Sequence, residues 1–278
     1  MQIQEALQKY VLQLRANGRS RHTTAQYERH ILLLARCHTG PVETITQDVL
    51  AAFLVSSAAR LRPDGKPKKT TAMNTLRSSL RSFFAYLAAS GALERDPSRL
   101  IRRARCGAPP PRALSPDEQS RLLDALRGGD NERDYALFHL LLGAGLRIGS
   151  ALALEVRDID LERGEAHLRK AKGDRPSVVL LSQAIRDHLR LYLAERAEGQ
   201  VFQGITPRHA NRRLKHWLAK AGIRTTASAH SLRHSFAMRV YGKTRDLLVT
   251  QAALGHASIA STTVYARAEP EMVRRALA

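Results

Sequence analysis

Polar side chains near the end of the chain are of types that could hold and attack a phosphate group. His230 and Arg233 lie one helical turn apart in HSLRHSFAM. His256 follows a glycine in ALGHAS, and a lone Tyr265 comes nine residues later. A guanidinium holds phosphate through paired hydrogen bonds, a histidine transfers protons, and a tyrosine hydroxyl is a nucleophile. The stretch 230–265 therefore predicts a site for phosphate chemistry.

Two more cations could complete such a site. Arg147 follows Gly143-Ala144-Gly145 and precedes an apolar helix, which predicts a buried helix junction. A buried arginine needs an anionic partner, which is either a bound phosphate or an internal carboxylate such as Glu155 or Asp158. The second cation is a lysine in AKGDRPS, the predicted tip of a β-hairpin.

Ordinary structural roles remain open for several of these residues. His230 and His234, four apart, could form a metal pair, but the residues between them lack the glutamate of a zinc protease helix and no third ligand is suggested. We therefore expect no metal and no cofactor. His256 could be a histidine at a helix C-terminus, and Tyr265 a core or surface residue.

The charge of the chain indicates a polyanionic partner. Its 278 residues include 45 basic and 25 acidic side chains, a net charge of +20, with a pI near 10.9. Binding to a membrane surface is a weaker alternative, because the cations are scattered along the chain. No apolar run could span a membrane, and Cys37 and Cys106 lie in no metal-ligand spacing, so we expect a cytoplasmic protein.

Helices dominate the predicted first domain, residues 1–92. The first helix ends at Asn17-Gly18, and three others are predicted over 21–37, 46–60 and 69–90. Short loops between four helices favour a small bundle.

A cation-rich loop precedes the fourth helix of this bundle. Lys66, Lys68 and Lys69 lie in PDGKPKKTT, and Arg77 and Arg81 follow one turn apart on the helix. These residues are either a solvated loop and helix face or contacts to a nucleic-acid backbone, since a helix N-terminus also attracts phosphate.

A basic, proline-rich linker is predicted over residues 93–113. It contains Arg102 and Arg103, which we include among the candidate nucleic-acid contacts, and then three consecutive prolines. The charge is +11 before residue 109 (18 basic, 7 acidic) and +9 after it (27 basic, 18 acidic), which favours a clamp on the polyanion over a single basic tail.

The second domain, residues 114–278, is predicted to be mainly helical with a small β-sheet. Ser115-Pro116 begins its first helix with a cap and a proline at the first position. Its predicted helices span about 116–127, 131–143, 183–197 and 207–221, and its predicted strands span 165–170 and 177–181.

Four motifs together resemble those of the tyrosine recombinase (phage integrase) family. In chain order they are GLRIGSALALEVRDID, LRKAKGDRPSVVLL, HSLRHSFAM and LGHASIASTTVYA, and they cover the second domain. The first domain, with PKKTTAMNTLRSSLRSFFAYL, is similar to that family's core-binding domain. The absence of a domain before this bundle favours a simple Xer-like or Cre-like type.

The resemblance implies a role for each candidate residue. The groups around the phosphodiester and the nucleophile would be Arg147, Lys172, His230, Arg233, His256 and Tyr265. Lys172 resembles the general acid, with Lys170 as its rival. His230 is the candidate base and His256 a phosphate ligand, and these two roles could be exchanged. Ser150 departs from the family, which commonly has an acidic residue there.

The implied activity is site-specific recombination through a 3′-phosphotyrosine intermediate and a Holliday junction. Double-stranded DNA and a tetrameric synapse would be its partners, with a second recombinase or accessory protein possible, for integration, excision or resolution. In such a synapse the terminal residues Met272, Val273 and Leu277 could dock on a neighbouring protomer; the alternative is a frayed tail. Relaxation of DNA by a type IB topoisomerase, or DNA binding without catalysis, are the other functions to consider.

Overall fold

A computed structural model describes residues 1–107, 112–169, 177–255 and 262–263. The chain divides into two compact units, residues 1–108 and 109–278. Within the described residues, none of the helices combines the length and apolar character needed to cross a membrane. The predicted fold class, mainly helical with a small sheet, is confirmed.

The first unit is a helical bundle around an aromatic and aliphatic core. Tyr10, Phe83 and Phe84 are almost completely buried, and Phe83 packs edge-on against both of the other rings. Its helices are α1 (Ile3–Ala16), α2 (Arg21–Cys37), α3 (Gln47–Val55), α4 (Ser57–Arg60) and α5 (Thr70–Ala89), with a 3₁₀ turn at Val42–Thr44.

One predicted helix of this bundle is divided into two. The stretch 46–60 forms α3 and α4, which meet at Ser56 in an extended conformation. The Ser56 hydroxyl accepts a hydrogen bond from the Ala59 N–H, so this residue begins α4 as its cap. Apolar periodicity continued across Ser56 and concealed the break.

The segment after α5 is held against the bundle for part of its length. Ile101 packs against the core, and the buried Asn74 side chain pairs with both backbone groups of Ala104, at 2.8 Å each. The sequence predicts a linker over 93–113, and in the structure its first part is anchored to the first unit. The exact domain bounds stay a prediction.

The helices of the second unit pack around α7 (Glu132–Ala144), which is mostly apolar after its first turn. Leu137, Phe138 and Leu141 of this helix, α7, are fully buried. The helices of the unit are α6 (Pro116–Arg127), α7 (Glu132–Ala144), α8 (Ile148–Leu152), α9 (Gln183–Leu193), α10 (Pro207–Lys220), α11 (Ala229–Thr244) and α12 (Leu247–Leu254), with a 3₁₀ turn at Val156–Asp158.

A three-stranded antiparallel sheet lies beside these helices. Its strands, in spatial order, are β1 (Ile159–Asp160), β2 (Glu165–Leu168) and β3 (Ser177–Leu180). Ala166 pairs with Ile159 on one side and with Val179 on the other. The two-residue β1 was missed because it is too short to show a period of two. The predicted helix 183–197 ends early, at Leu193, because Ala194 adopts a positive φ of 47°.

Candidate active site

A buried arginine joins three segments of the second unit. Arg233 in α11 is only 3% exposed. Its Nη1 donates to the Gly145 carbonyl at 2.6 Å, and its Nη2 donates to the Leu254 carbonyl at 2.8 Å. Gly145 ends α7 and Leu254 is the last residue of α12, so the guanidinium is held between two helix ends. Backbone carbonyls therefore orient this charge.

Gly145 suits this junction because of both its backbone angle and its lack of a side chain. It ends α7 with φ at +67°, a left-handed conformation that favours glycine. A Cβ at this position would lie 2.2 Å from the ring of Phe236. The close approach of α11 to α7, which brings Arg233 to the Gly145 carbonyl, thus requires glycine here.

The second predicted arginine reaches the same place. Arg147 is half-buried at the start of α8, and it lines a small cavity together with Arg233, Ser150, Ser177 and Gly255. We call this space the Arg147–Arg233 cavity. Two arginines from separate helices therefore line one cavity, and a pair of guanidinium groups suits a bound phosphate. Ser150 contributes a hydroxyl and no charge to its wall.

The carboxylates considered as internal partners of Arg147 are used elsewhere. Asp158, which is buried, pairs with Arg169, and Glu155 lies 2.6 Å from Arg157 Nε and 3.6 Å from Arg169 Nη1. Glu155 and Asp158 therefore each have an arginine partner other than Arg147.

His230 lies close to both arginines of the cavity. Its pKa is lowered by desolvation and by the positive charges of Arg233 and Arg147. Since the ordinary value is 6.5, the imidazole is neutral at neutral pH. A neutral imidazole beside two guanidinium groups can accept a proton from a nucleophile.

His234 packs directly against His230. The two ring centres are 4.4 Å apart in an edge-to-face arrangement. Burial, together with the neighbouring His230 and the positive charge of Arg233, lowers the pKa of His234 to about 4. In the part of the chain that the structure describes, no group of three or more His, Cys, Asp or Glu side chains could hold a metal ion.

Three of the predicted site residues lie outside the described residues: Lys172, His256 and Tyr265, as does the alternative Lys170. The Arg147–Arg233 cavity is lined by Leu168 and Ser177, between which the sequence places Lys172. The structure thus brings together Arg147, His230 and Arg233.

The predicted DNA contacts of the first unit differ in their surroundings. Lys66, Lys69, Arg81, Arg102 and Arg103 have exposed side chains. Two others take part in the structure of the unit itself. The Lys68 ammonium donates to the Ala59 carbonyl at 2.8 Å near the end of α4, and Arg77 donates to the Asn74 amide oxygen at 3.1 Å.

A basic groove on the first unit includes arginines that sequence reasoning missed. This cavity of 1070 Å³ lies between α2, α4 and the loop before α5, and its lining includes Arg29, Arg36, Arg62 and Lys68. Arg29 and Arg36 are seven residues apart on α2 and so share one helix face, a spacing that would have identified them.

Arg239 in α11 is a further residue that the sequence did not identify. Its guanidinium donates to Gln119 in α6 and to the Leu142 carbonyl in α7, both at 2.8 Å. The sequence signal was a cation between Met238 and Val240 in a largely apolar helical stretch.

Comparison with protein families shows two matches along the chain. Residues 112–272 match the phage integrase family, and residues 7–91 match the N-terminal SAM-like domain of phage integrases. Among individual proteins, the chain is 31% identical over 272 residues to tyrosine recombinase XerC of Chromobacterium violaceum, covering 94% of this chain and 89% of that one. It is also 31% identical over 256 residues to XerC of Serratia marcescens, covering 87% and 83%.

Solved structures share the fold. The Tn1549 transposon integrase in complex with a circular intermediate DNA has a TM-score of 0.76 and 18% identity, covering 98% of each chain. The lambda integrase dimer bound to a COC′ core site has a TM-score of 0.75 and 20% identity, covering 94% of this chain and 97% of that one.

Proposed function

The chain belongs to the phage integrase family and is a tyrosine site-specific recombinase, and from this premise we propose that the Arg147–Arg233 cavity holds the DNA phosphodiester that is cut. The observation that carries the proposal is that two arginines from separate helices line one cavity, with the Arg233 guanidinium fixed by two backbone carbonyls. The substrate is double-stranded DNA, in keeping with the net charge of +20.

The arginines act on the charge of the reacting phosphate. A phosphodiester carries one negative charge, and its pentavalent transition state concentrates more charge on the non-bridging oxygens. Donors that are already oriented stabilise this charge without reorganising during the reaction. The carbonyls of Gly145 and Leu254 hold Arg233 in place, which supports its role as such a donor.

Tyr265 is the proposed nucleophile. Its hydroxyl oxygen forms a bond to phosphorus, and the bond from phosphorus to the 5′-oxygen of the next nucleotide breaks. The product is a 3′-phosphotyrosine and a free 5′-hydroxyl. Because the phosphate ester is conserved, attack by a 5′-hydroxyl of the partner duplex restores the backbone without ATP, through a Holliday junction.

Two protons must move in this step. The tyrosine hydroxyl, with an ordinary pKa of about 10, must lose its proton, and neutral His230 is the proposed acceptor. The leaving 5′-oxygen must gain a proton, for which Lys172 is the proposed donor. His256 donates a hydrogen bond to a phosphate oxygen.

The first unit binds the DNA backbone in this proposal. Lys66, Lys69, Arg81, Arg102 and Arg103 are exposed cations that suit phosphate contacts, and Arg29 and Arg36 in the basic groove join them. Lys68 and Arg77 act mainly within the unit, since each already has a protein hydrogen-bond acceptor.

A tetramer on two synapsed sites is the proposed working assembly, and the cytoplasm its proposed location. Two duplexes that each bind two protomers require four nucleophiles for complete exchange. The lambda integrase structure, a dimer bound to a core site, supports binding of two protomers to one site.

The nucleophile is tested by trapping the chain on DNA. Wild-type protein incubated with a random-sequence duplex library should yield a denaturation-resistant complex, and sequencing its DNA should reveal one preferred site. Tyr265→Phe should abolish the complex and leave DNA affinity within about threefold, because only the attacking oxygen is removed. Tyr241→Phe, a change of the same atoms in α11, is the matched control and should form the complex normally.

Covalent DNA on the Tyr265→Phe variant would refute the assignment of the nucleophile. Relaxation of a supercoiled plasmid without paired sites, together with no strand exchange on a plasmid that carries them, would contradict recombination and indicate topoisomerase activity.

A further inference from the structure

Arg239 holds the last turn of α7 from outside the Arg147–Arg233 cavity. It is half-buried, and its Nη2 donates to the Leu142 carbonyl while its Nη1 donates to Gln119 Oε1. Carbonyls in the last turn of a helix have no partner within the helix. Arg239 therefore satisfies one such carbonyl of α7 and ties this helix end to α6.

Arg239 also contacts the junction through an aromatic ring. Its guanidinium carbon lies 5.6 Å from the ring centre of Phe236. Phe236 packs so closely against Gly145 that a Cβ there would be 2.2 Å from the ring. The Gly145 carbonyl accepts the hydrogen bond from Arg233, and Arg147 follows two residues later. Arg239 thus contacts the α7 end both directly and through Phe236.

The partial burial of Arg239 makes its hydrogen bonds necessary. Desolvation lowers the pKa of its guanidinium. A buried guanidinium is tolerated only when its donors are satisfied, and an apolar side chain would fill the same space without this cost. Arg239 meets this requirement, because Gln119 Oε1 in α6 and the Leu142 carbonyl in α7 accept hydrogen bonds from it.

We propose that Arg239 is a positioning residue for Arg147 and Arg233: it fixes the α7 end so that both guanidinium groups meet the same phosphate. The inference rests on the proposed function of the Arg147–Arg233 cavity. Arg239 acts through the Leu142 carbonyl and the Phe236 ring and not through contact with DNA.

The test compares Arg239→Met with Arg186→Met. Arg186 is a matched control in the same unit, because its guanidinium also makes two hydrogen bonds, here to the backbone carbonyls of Leu161 and Glu162, away from the cavity. The substrate is the duplex recovered by trapping the wild type. It is made with an ordinary phosphate or with a neutral methylphosphonate at the cut position.

With the ordinary phosphate, Arg239→Met should slow single-turnover formation of the covalent complex about 10–100-fold, since small misplacements of catalytic groups have effects of this size. DNA affinity should stay unchanged, and Arg186→Met should cleave normally. With methylphosphonate, the loss should shrink several-fold, because less charge is left for the arginines to stabilise. Arg239→Lys, which keeps a charge but has no fork of donors, should be intermediate.

Equal losses on the two substrates, or an unchanged rate in folded Arg239→Met, would overturn the inference. If the wild type forms no covalent complex, the proposed function fails instead. In that case the positioning role of Arg239 is tested without DNA, by measuring how much inorganic phosphate raises the melting temperature of the protein. Arg239→Met should need several-fold more phosphate than the wild type or Arg186→Met, and equal phosphate dependence in all three would contradict positioning.

Discussion

The two units differ in what they bury. Among the described residues, the buried polar side chains of the first unit are all neutral: Thr24, Asn74, Ser79 and Ser98. The second unit buries charged groups, namely Asp134, Asp158 and Arg233, besides several hydroxyls. Both units carry a similar excess of positive charge, so net charge alone does not distinguish them.

The difference agrees with the roles proposed for the two units. Exposed cations are enough to hold a DNA backbone, and they carry little desolvation cost. Stabilising a transition state requires oriented charges, and orienting them requires partners inside the protein. The Asp134 carboxylate shows how such charges are held: it accepts from Arg213 Nε at 2.6 Å and from Trp217 Nε1 at 2.7 Å.

The largest effect on stability is expected when this buried carboxylate is removed. Asp134→Ala should destabilise the second unit by about 3–5 kcal/mol, because Trp217 and Arg213 lose a shared partner inside the protein. Trp217 is the only tryptophan, so its fluorescence during urea unfolding reports on this unit. Asp124→Ala, which removes an exposed pair with Arg127, should cost at most about 1 kcal/mol. If Asp134→Ala and Asp124→Ala lower the free energy of unfolding equally, the buried carboxylate is not the special feature of the second unit.

A smaller effect is expected for the buried amide of the first unit. Asn74→Leu should cost about 1–3 kcal/mol, because Ala104 loses partners for its N–H and C=O, although water can replace them once the segment loosens. Hydrogen exchange should show faster exchange around residues 101–107, with Trp217 fluorescence unfolding unchanged. A shift in the Trp217 transition would show that the two units are not independent in stability.

The smallest expected effect is a decrease in the free energy of unfolding of each unit at acid pH. Burial lowers the pKa of His30 in the first unit and of His139 in the second to about 4. Well above pH 6.5 these groups are neutral in both states. As pH falls from 6.5 towards 4, the unfolded chain binds protons that the folded chain does not, so the free energy of unfolding decreases.

His139→Gln should reduce this acid sensitivity in the Trp217 transition, and His30→Gln should leave it unchanged. His167→Gln, at an exposed position, serves as the control. If the Trp217 transition has the same pH dependence in the wild type and in His139→Gln, then His139 is not a source of the acid sensitivity of the second unit.

Local sequence signals predicted most of the helices. Helices α2 and α6 have the predicted bounds, because capping serines and apolar periodicity act within a few residues. The break at Ser56 and the early end at Leu193 depend on how each helix packs, and periodicity alone did not show them.

In the candidate site, too, the sequence predicted some features and the packing decided others. The motifs predicted that Arg147, His230 and Arg233 would act together, and the structure brings these three side chains to one place. Lys68 has a contact that the sequence did not predict: its ammonium donates to the Ala59 carbonyl. Its DNA contact stays a prediction. Charge and loop composition do not reveal which acceptor lies within reach.

The sequence by itself determined the family, the helical class and the chemical types of the site residues, because motifs and helix periodicity are local. Only the tertiary structure decided what orients Arg233. Its acceptors are carbonyls 88 residues before it and 21 residues after it, at the ends of α7 and α12. Every residue has such a carbonyl, so no residue type marks it in the sequence. A backbone carbonyl is free to accept from Arg233 only where a helix ends, and the Gly145 carbonyl is within reach because α11 packs closely against Gly145.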